Sequence, residues 1–256
     1  MTTVAVAETP LLNALLARAD DALIHAHRLS EWCGYAPMLE EDLALANVAL
    51  DLLGQARSLY QYAAAVESVG RSEDDLAYLR DAPAFRNALI YEQPKGDFAY
   101  MIARLFLSAA YMLPWWRAVA SSRDATLAAI AAKAEKEATY HLRHAGEWVI
   151  RLGDGTAESR ARITVAFDAL WRFTGELFHV EHDERALIDS GILPDPAAIR
   201  PEWDATVARV LSLATLDRPK DGWMHTGGRR GVHTEHLGHI LAVMQHLQRA
   251  YPGATW

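Results

Sequence analysis

The sequence predicts an all-α fold, an antiparallel bundle of long helices with additional helices toward the C-terminus. Three observations carry this. Apolar residues recur at helical spacing over stretches of twenty residues or more. These stretches are joined by short links marked by glycine, proline or an acidic cap, which makes consecutive helices antiparallel neighbours. No stretch shows the apolar–polar alternation of a half-buried strand over a useful length.

Residues 1–10 are read as a frayed or disordered tail, and 11–256 as a single helical domain. A first helix covers Leu11 to Trp32 and ends at Cys33-Gly34. A second covers about Met38 to Val69 and ends at Gly70. Its start is marked by Pro37 and by Glu40, Glu41 and Asp42, acids that suit the positive end of a helix dipole. One or two short helices follow between Asp74 and Asn87, then a turn at Gln93-Pro94-Lys95-Gly96. The aromatic-rich third long helix starts near Asp97, and Pro114 should kink or end it. The fourth, Asp124 to Leu152, opens on an N-cap acid and closes at Gly153-Asp154-Gly155. A fifth is expected over about Ala157 to His179. A proline-rich link, Ile192 to Pro201, then leads to a helix at about Glu202–Leu216. The loop Gly227 to Gly231 leads to a last helix, His233 to Ala250.

Composition narrows the function. Of 256 residues 51% are hydrophobic, enough for a sizeable core, and the net charge of −8 argues against nucleic acid as a partner. The single Cys33 excludes an intramolecular disulfide and fits a reducing compartment. The N-terminus MTTVAVAETP lacks the basic and apolar regions of a secretory signal, and the uncharged run Leu105 to Trp116 is too short to cross a bilayer. A cytoplasmic protein without a membrane partner is expected.

The second helix organises the chemistry. Over fourteen residues it offers only Asn47, Asp51 and Gln55 as polar side chains, spaced i, i+4, i+8 and drifting over about 80° of surface. Either this stripe alone sees water, or it lines the middle of the bundle. Carboxylate-bridged diiron bundles place Glu-x-x-His at such a point. Here the slot reads Asp51-Leu52-Leu53-Gly54, with a carboxylate but no histidine. On the fourth helix, His141 lies in the heptad seam with Glu137 and His144 beside it, but the residue three before His141 is Ala138. Glu137, His141 and His144 are either metal ligands or, the preferred account, a buried histidine bonded to Glu137 or to a carboxylate such as Asp51. A lone mid-helix Asp51 needs such a partner, His141 or a neighbouring Arg or Lys.

Other suggestive groups read as ordinary. Glu176 and His179 form a literal Glu-x-x-His, but on a continuous helix they would face away from its apolar seam, as surface residues. The run Glu181-His182-Asp183-Glu184 reads as a solvated segment, and His233, His236, His239 and His246 as a polar face rather than a metal cluster. Asp21, His25, Arg28 and Glu31 read as a charged face of the first helix. Arg229 and Arg230 form a weak candidate anion site at a helix N-terminus.

Four phrases carry a resemblance: LSEWCGYAPMLEEDLALANVALDLLGQAR, KEATYHLRHAGEWVIRLGDGT, LWRFTGELF and TGGRRGVHTEHLGHILAVMQHLQR. They resemble the PaaC family of bacterial phenylacetyl-CoA epoxidases, also called phenylacetate-CoA oxygenases. The resemblance runs from about residue 11 to the end. It implies a ferritin-like fold and a place in a multicomponent monooxygenase of aerobic phenylacetate degradation. In that system a related catalytic subunit, PaaA, holds the diiron site and binds phenylacetyl-CoA, a reductase brings electrons from NADPH, and O2 is used to epoxidise the ring. The PaaC protein is implied to be a non-catalytic sister of PaaA that has lost its iron ligands and pairs with it. This chain would then hold no metal and no cofactor, with Asp51, Glu137 and His141 as remnants of a site. The residues leave open a self-sufficient metal-dependent oxidase using Glu137, His141 and His144 with Asp51, an acyl-CoA-binding module using Arg229 and Arg230, and self-association.

Overall fold

The computed structural model describes residues 3–254, and among these no strand occurs. Helix α1 (Pro10–Ser30) pairs with α2 (Leu39–Glu67), and after three short helical segments, α5 (Phe98–Val119) pairs with α6 (Ala125–Gly153). The two hairpins meet where α2 packs on α6, completing the bundle. The segments between the hairpins are α3 (Glu73–Tyr78), a 3₁₀ turn at Ala82–Ala84 and α4 (Leu89–Glu92). Beyond the bundle, α7 (Ala157–Trp171) and α9 (Pro196–Leu213) cover α5 and α6, with α8 (Arg185–Asp189) between them. The C-terminal α10 (Glu235–Met244) and α11 (His246–Ala250) sit on the α3–α4 region.

The helix ends follow local chemistry. Thr9, Asp97 and Asp124 cap α1, α5 and α6 through side-chain oxygens, each accepting an amide of the first turn. α2 stops where Ser68 and Gly70 turn left-handed, at φ 54° and 80°. Pro114 does not end α5, which continues to Val119. The expected fifth helix is cut short: α7 ends at Trp171, and Thr174–Phe178 is a 3₁₀ turn. Gly175 permits the break, because Met224 from a distant segment lies where its Cβ would be. Pro196, expected in a link, instead opens α9 at its first turn, behind the Asp195 cap. The tail expected to fray is tied down over its described part: Val4 donates to the Leu79 carbonyl, Ala7 to Glu67, and Arg71 donates to the Ala5 carbonyl. Residues 1 and 2 lie outside the described residues.

α1 departs most from its sequence reading. Asp21, His25 and Arg28, read as a charged face, are all buried, as is Asp20. Residues 80–93 and 227–233 wrap over this side of the helix and supply its partners. Asp20 accepts from both terminal nitrogens of Arg80, from the Tyr60 hydroxyl and from the Arg86 amide. Asp21 receives the Arg229 guanidinium at 2.9 and 2.7 Å, the Ala88 amide at 2.8 Å and Arg18 at 3.2 Å. Arg80 and Asp20 are both fully enclosed. α5 is the apolar centre, with Phe106, Tyr111, Trp115 and Trp116 all buried. It is long and apolar enough to cross a membrane, but 83% of that window lies inside the fold.

Two outcomes follow from these buried charges. Asp20→Ala strands the Arg80 guanidinium in the core and lowers the unfolding free energy by about 3–5 kcal/mol. Urea titration reads this directly, and a loss of only a few tenths would contradict it. The second outcome concerns His233, whose ring donates to Glu92 at 2.7 Å and to the Phe85 carbonyl at 3.0 Å. Burial disfavours the charged ring, but Glu92 and that carbonyl outweigh it and raise the pKa above the ordinary value. A raised histidine contributes stability that is complete below the unfolded value of about 6.5 and is lost as pH rises through the folded value. Hydrogen exchange across residues 227–250 should therefore quicken, beyond the intrinsic rate, as pH passes upward through that window, and His233→Gln should abolish the dependence.

Candidate functional site

The place where a bundle of this kind would hold metal lies between α2 and α6. His141, buried in the α6 seam, sets Nε2 3.0 Å from Asp51 Oδ2. The carboxylate that His141 was expected to need is therefore Asp51. Its burial is less than expected, since the Asp51 side chain stays 37% exposed. One turn toward the C-terminus of α2, Gln55 donates to Glu137 Oε2 at 2.9 Å, and Lys133 reaches the other Glu137 oxygen at 3.5 Å. Toward the helix start, His144 Nε2 approaches Glu41 at 3.2 Å. Burial lowers the His144 pKa, with Glu41 pulling against it. Thus Asp51, Glu137, His141 and His144 share one helix–helix seam but are separated into three side-by-side pairs, two joined by hydrogen bonds and the third, His144 with Glu41, in close approach without one.

This arrangement does not fit a diiron centre. Ala138 is buried where the bridging carboxylate would stand, and Gly54 replaces the histidine of α2. A Cβ built on Gly54 would meet the Lys133 ammonium at 3.7 Å, so a cation stands at the mouth of the site. A second cation lies deeper. Arg104 on α5 is fully buried and donates to the carbonyls of Gln93 and Pro94 at 2.8 and 3.0 Å. Burial lowers its pKa to about 10, which leaves it charged at neutral pH. Its charge reaches His25, whose own pKa is lowered first by burial and then by Arg104 and His141. Among the described residues no three His, Cys, Asp or Glu side chains converge on a point that could hold a metal ion.

The remaining candidates separate likewise. Glu176, expected on the surface, is buried: it accepts from the amides of Leu89 at 2.7 Å and Gly227 at 2.8 Å. The helical wheel misplaced it because the chain is no longer α-helical after Trp171. His179 does lie outside, beside Glu181 at 3.4 Å. Of the C-terminal histidines, His233 turns in to Glu92 while His239 and His246 are exposed. The weak anion site is corrected by geometry, because Arg229 is buried on Asp21 and only Arg230 remains outside, on Glu181 at 3.1 Å. The Asp20–Arg80–Tyr60 and Asp21–Arg229 clusters escaped the sequence reading, whose one available signal was an adjacent acid pair in the middle of α1.

Because Asp51 is partly solvated, its removal should be mild. Asp51→Ala is expected to cost about 0.5–1 kcal/mol, the range of a part-exposed ion pair rather than of a buried one. Chemical denaturation checks this, and a loss of several kcal/mol would show that the pair is closed to water in solution.

Over 237 residues, 93% of this chain and 95% of the relative, the sequence is 49% identical to the C subunit of 1,2-phenylacetyl-CoA epoxidase from Escherichia coli (strain K12). The family described as phenylacetic acid catabolic protein, PaaA_PaaC, matches residues 1–256. The fold is thus the expected ferritin-like helical bundle, and the chain belongs to the phenylacetic acid catabolic protein family.

Proposed function

We propose that this chain is a non-catalytic structural subunit of a multicomponent, ring-epoxidising phenylacetyl-CoA monooxygenase. It pairs in the cytoplasm with a catalytic diiron oxygenase subunit, and a reductase component delivers electrons from NADPH to that subunit. The near full-length likeness to a subunit of such an epoxidase supports the place in the complex. The observation that carries the non-catalytic role is the seam itself, where Ala138 and Gly54 stand at the positions that a carboxylate and a histidine ligand would need.

The surface supports a pairing role through α2, whose sequence is apolar nearly all round. The aromatic α5 offers little surface, since Phe106, Tyr111, Trp115 and Trp116 are enclosed. The spare surface is on α2: Leu39, Leu43 and Leu50 are 69%, 57% and 64% exposed, and Tyr35 and Met38 lie beside them in sequence, also exposed. Leu39, Leu43 and Leu50 follow i, i+4, i+11 and so lie along one face of the helix. A row of large apolar side chains this exposed suits an obligate interface, which typically buries about 2,000 Å² or more.

Reconstitution tests the reading. Leu43→Glu/Leu50→Glu should keep the fold, since both side chains are exposed, and should weaken association with the diiron subunit at least about tenfold, as loss of central apolar anchors does. His141→Ala should assemble normally and retain turnover. An assembled but inactive His141→Ala complex would overturn the structural reading. So would two irons per chain after anaerobic Fe(II) loading of this protein alone.

A further inference from the structure

We propose that a pocket between the C-terminal end of α7 and the strap 217–226 binds a nucleoside phosphate, with its base on Trp223 and its phosphate on Arg172 and Lys220. The strap has no regular secondary structure, yet it is fastened along its length. Arg218 donates to Asp204 at 2.7 Å, the Trp171 indole donates to Asp221 at 2.9 Å, and the His225 amide donates to the Arg172 carbonyl at 2.8 Å. Met224 packs over Gly175. Between these fastenings the chain turns Trp223 outward, leaving it 77% exposed. Exposing an indole forgoes the largest apolar burial a side chain offers, so a fixed, exposed tryptophan is a candidate contact for a ligand.

The Trp223 ring belongs to a ladder. His225 stacks on Phe173 at 4.8 Å and 25°, and Trp223 meets His225 edge-on at 4.3 Å. Burial, then Arg172, lowers the His225 pKa, so the ladder offers a neutral ring at neutral pH. Charge is unevenly spent around this pocket. Arg218 is paired with Asp204 and lies over the faces of Trp171 and Trp203, whereas Arg172 and Lys220 have no carboxylate partner among the described residues. Both line the same cavity, of about 360 Å³, with Trp171 and Trp223. That is within the range of small-ligand sites. Two free cations beside a free aromatic face are the complement of a molecule that is planar at one end and anionic at the other. Asp168, also on the lining, disfavours a bare anion but accepts a hydrogen bond from a ribose hydroxyl or a ring amino group.

The pocket shares no residue with the α2–α6 seam or the exposed face of α2, and its test needs neither a partner nor turnover. The full-length chain is titrated calorimetrically with ADP, adenosine and inorganic phosphate. ADP should bind one to one with Kd below about 1 mM, and adenosine and phosphate each at least about tenfold more weakly. Trp223→Ala and Arg172→Ala/Lys220→Ala should each weaken ADP at least about tenfold while circular dichroism and melting stay unchanged, because all three side chains are exposed. Absence of saturable ADP binding overturns the site, as does ADP binding that survives both variants. Phosphate binding as tight as ADP overturns the role of Trp223, and with it the proposal.

Discussion

Two adjacent carboxylates on α1 hold this molecule together. Asp20 and Asp21 are buried in the middle of a helix, where an unpaired charge would cost several kcal/mol. Each is matched to an arginine distant in sequence: Arg80 sixty residues on, Arg229 two hundred and eight residues on. Around those two pairs the carboxylates also collect the amides of Arg86 and Ala88, so the irregular stretch between α3 and α4 gets its hydrogen bonds from α1 rather than from a sheet or helix. Glu176 and Glu92 repeat the device. Glu176 takes the amides of Leu89 and Gly227, and Glu92 takes Asn87, His233 and Thr234. Four buried acids thus organise loops that would otherwise leave backbone groups unsatisfied. The C-terminal segment is locked to the bundle by charge as much as by apolar packing.

That division explains what the sequence could and could not disclose. The long helices were legible from local signals: Glu40, Glu41 and Asp42 opening α2, the Asp97 and Asp124 caps of α5 and α6, and Gly34, Gly70 and Gly153 at or just past the ends of α1, α2 and α6. The five-residue 3₁₀ turn after α7 was not, because it depends on Met224 lying against Gly175, a tertiary contact with no local signature. The charged residues of α1 are opaque for the same reason. A helix whose polar residues face a wrapped loop has the same sequence pattern as one whose polar residues face water, and only the positions of Arg80 and Arg229 distinguish them. At the seam between α2 and α6, the Asp51–His141 pair was accessible because helix spacing put both at the mid-bundle. Its partial solvation was not, since exposure there depends on how far α2 stands from α6 at that level.

The seam between α2 and α6 carries its polar side chains in pairs. A diiron site supplies dense positive charge to the carboxylates that surround it. Here each carboxylate has instead a side-chain neighbour of its own: Lys133 on Glu137, His141 on Asp51 and His144 on Glu41. The pairings are sequential along the two helices, so they act as rungs that fix the register of α2 against α6. A register error of one turn would bring Asp51 opposite His144 or Glu137, and the second of these sets carboxylate against carboxylate. These pairs therefore help to specify how the two hairpins meet.

Register matters because of what α2 presents on its other side. One helix carries both the rungs and the exposed row Leu39, Leu43 and Leu50. Any shift of α2 along α6 would move that row by the same distance, and an apolar face mated to a partner tolerates little displacement, since its side chains must fall into fixed holes. Polar pairs are better suited than leucines to set such a position, because a hydrogen bond fails within a few tenths of an ångström whereas apolar contact degrades gradually. The inner face of α2 thus determines where its outer face stands. Asp51, Gln55 and Glu41 on that inner face therefore set the height at which Leu39, Leu43 and Leu50 stand on the outer one.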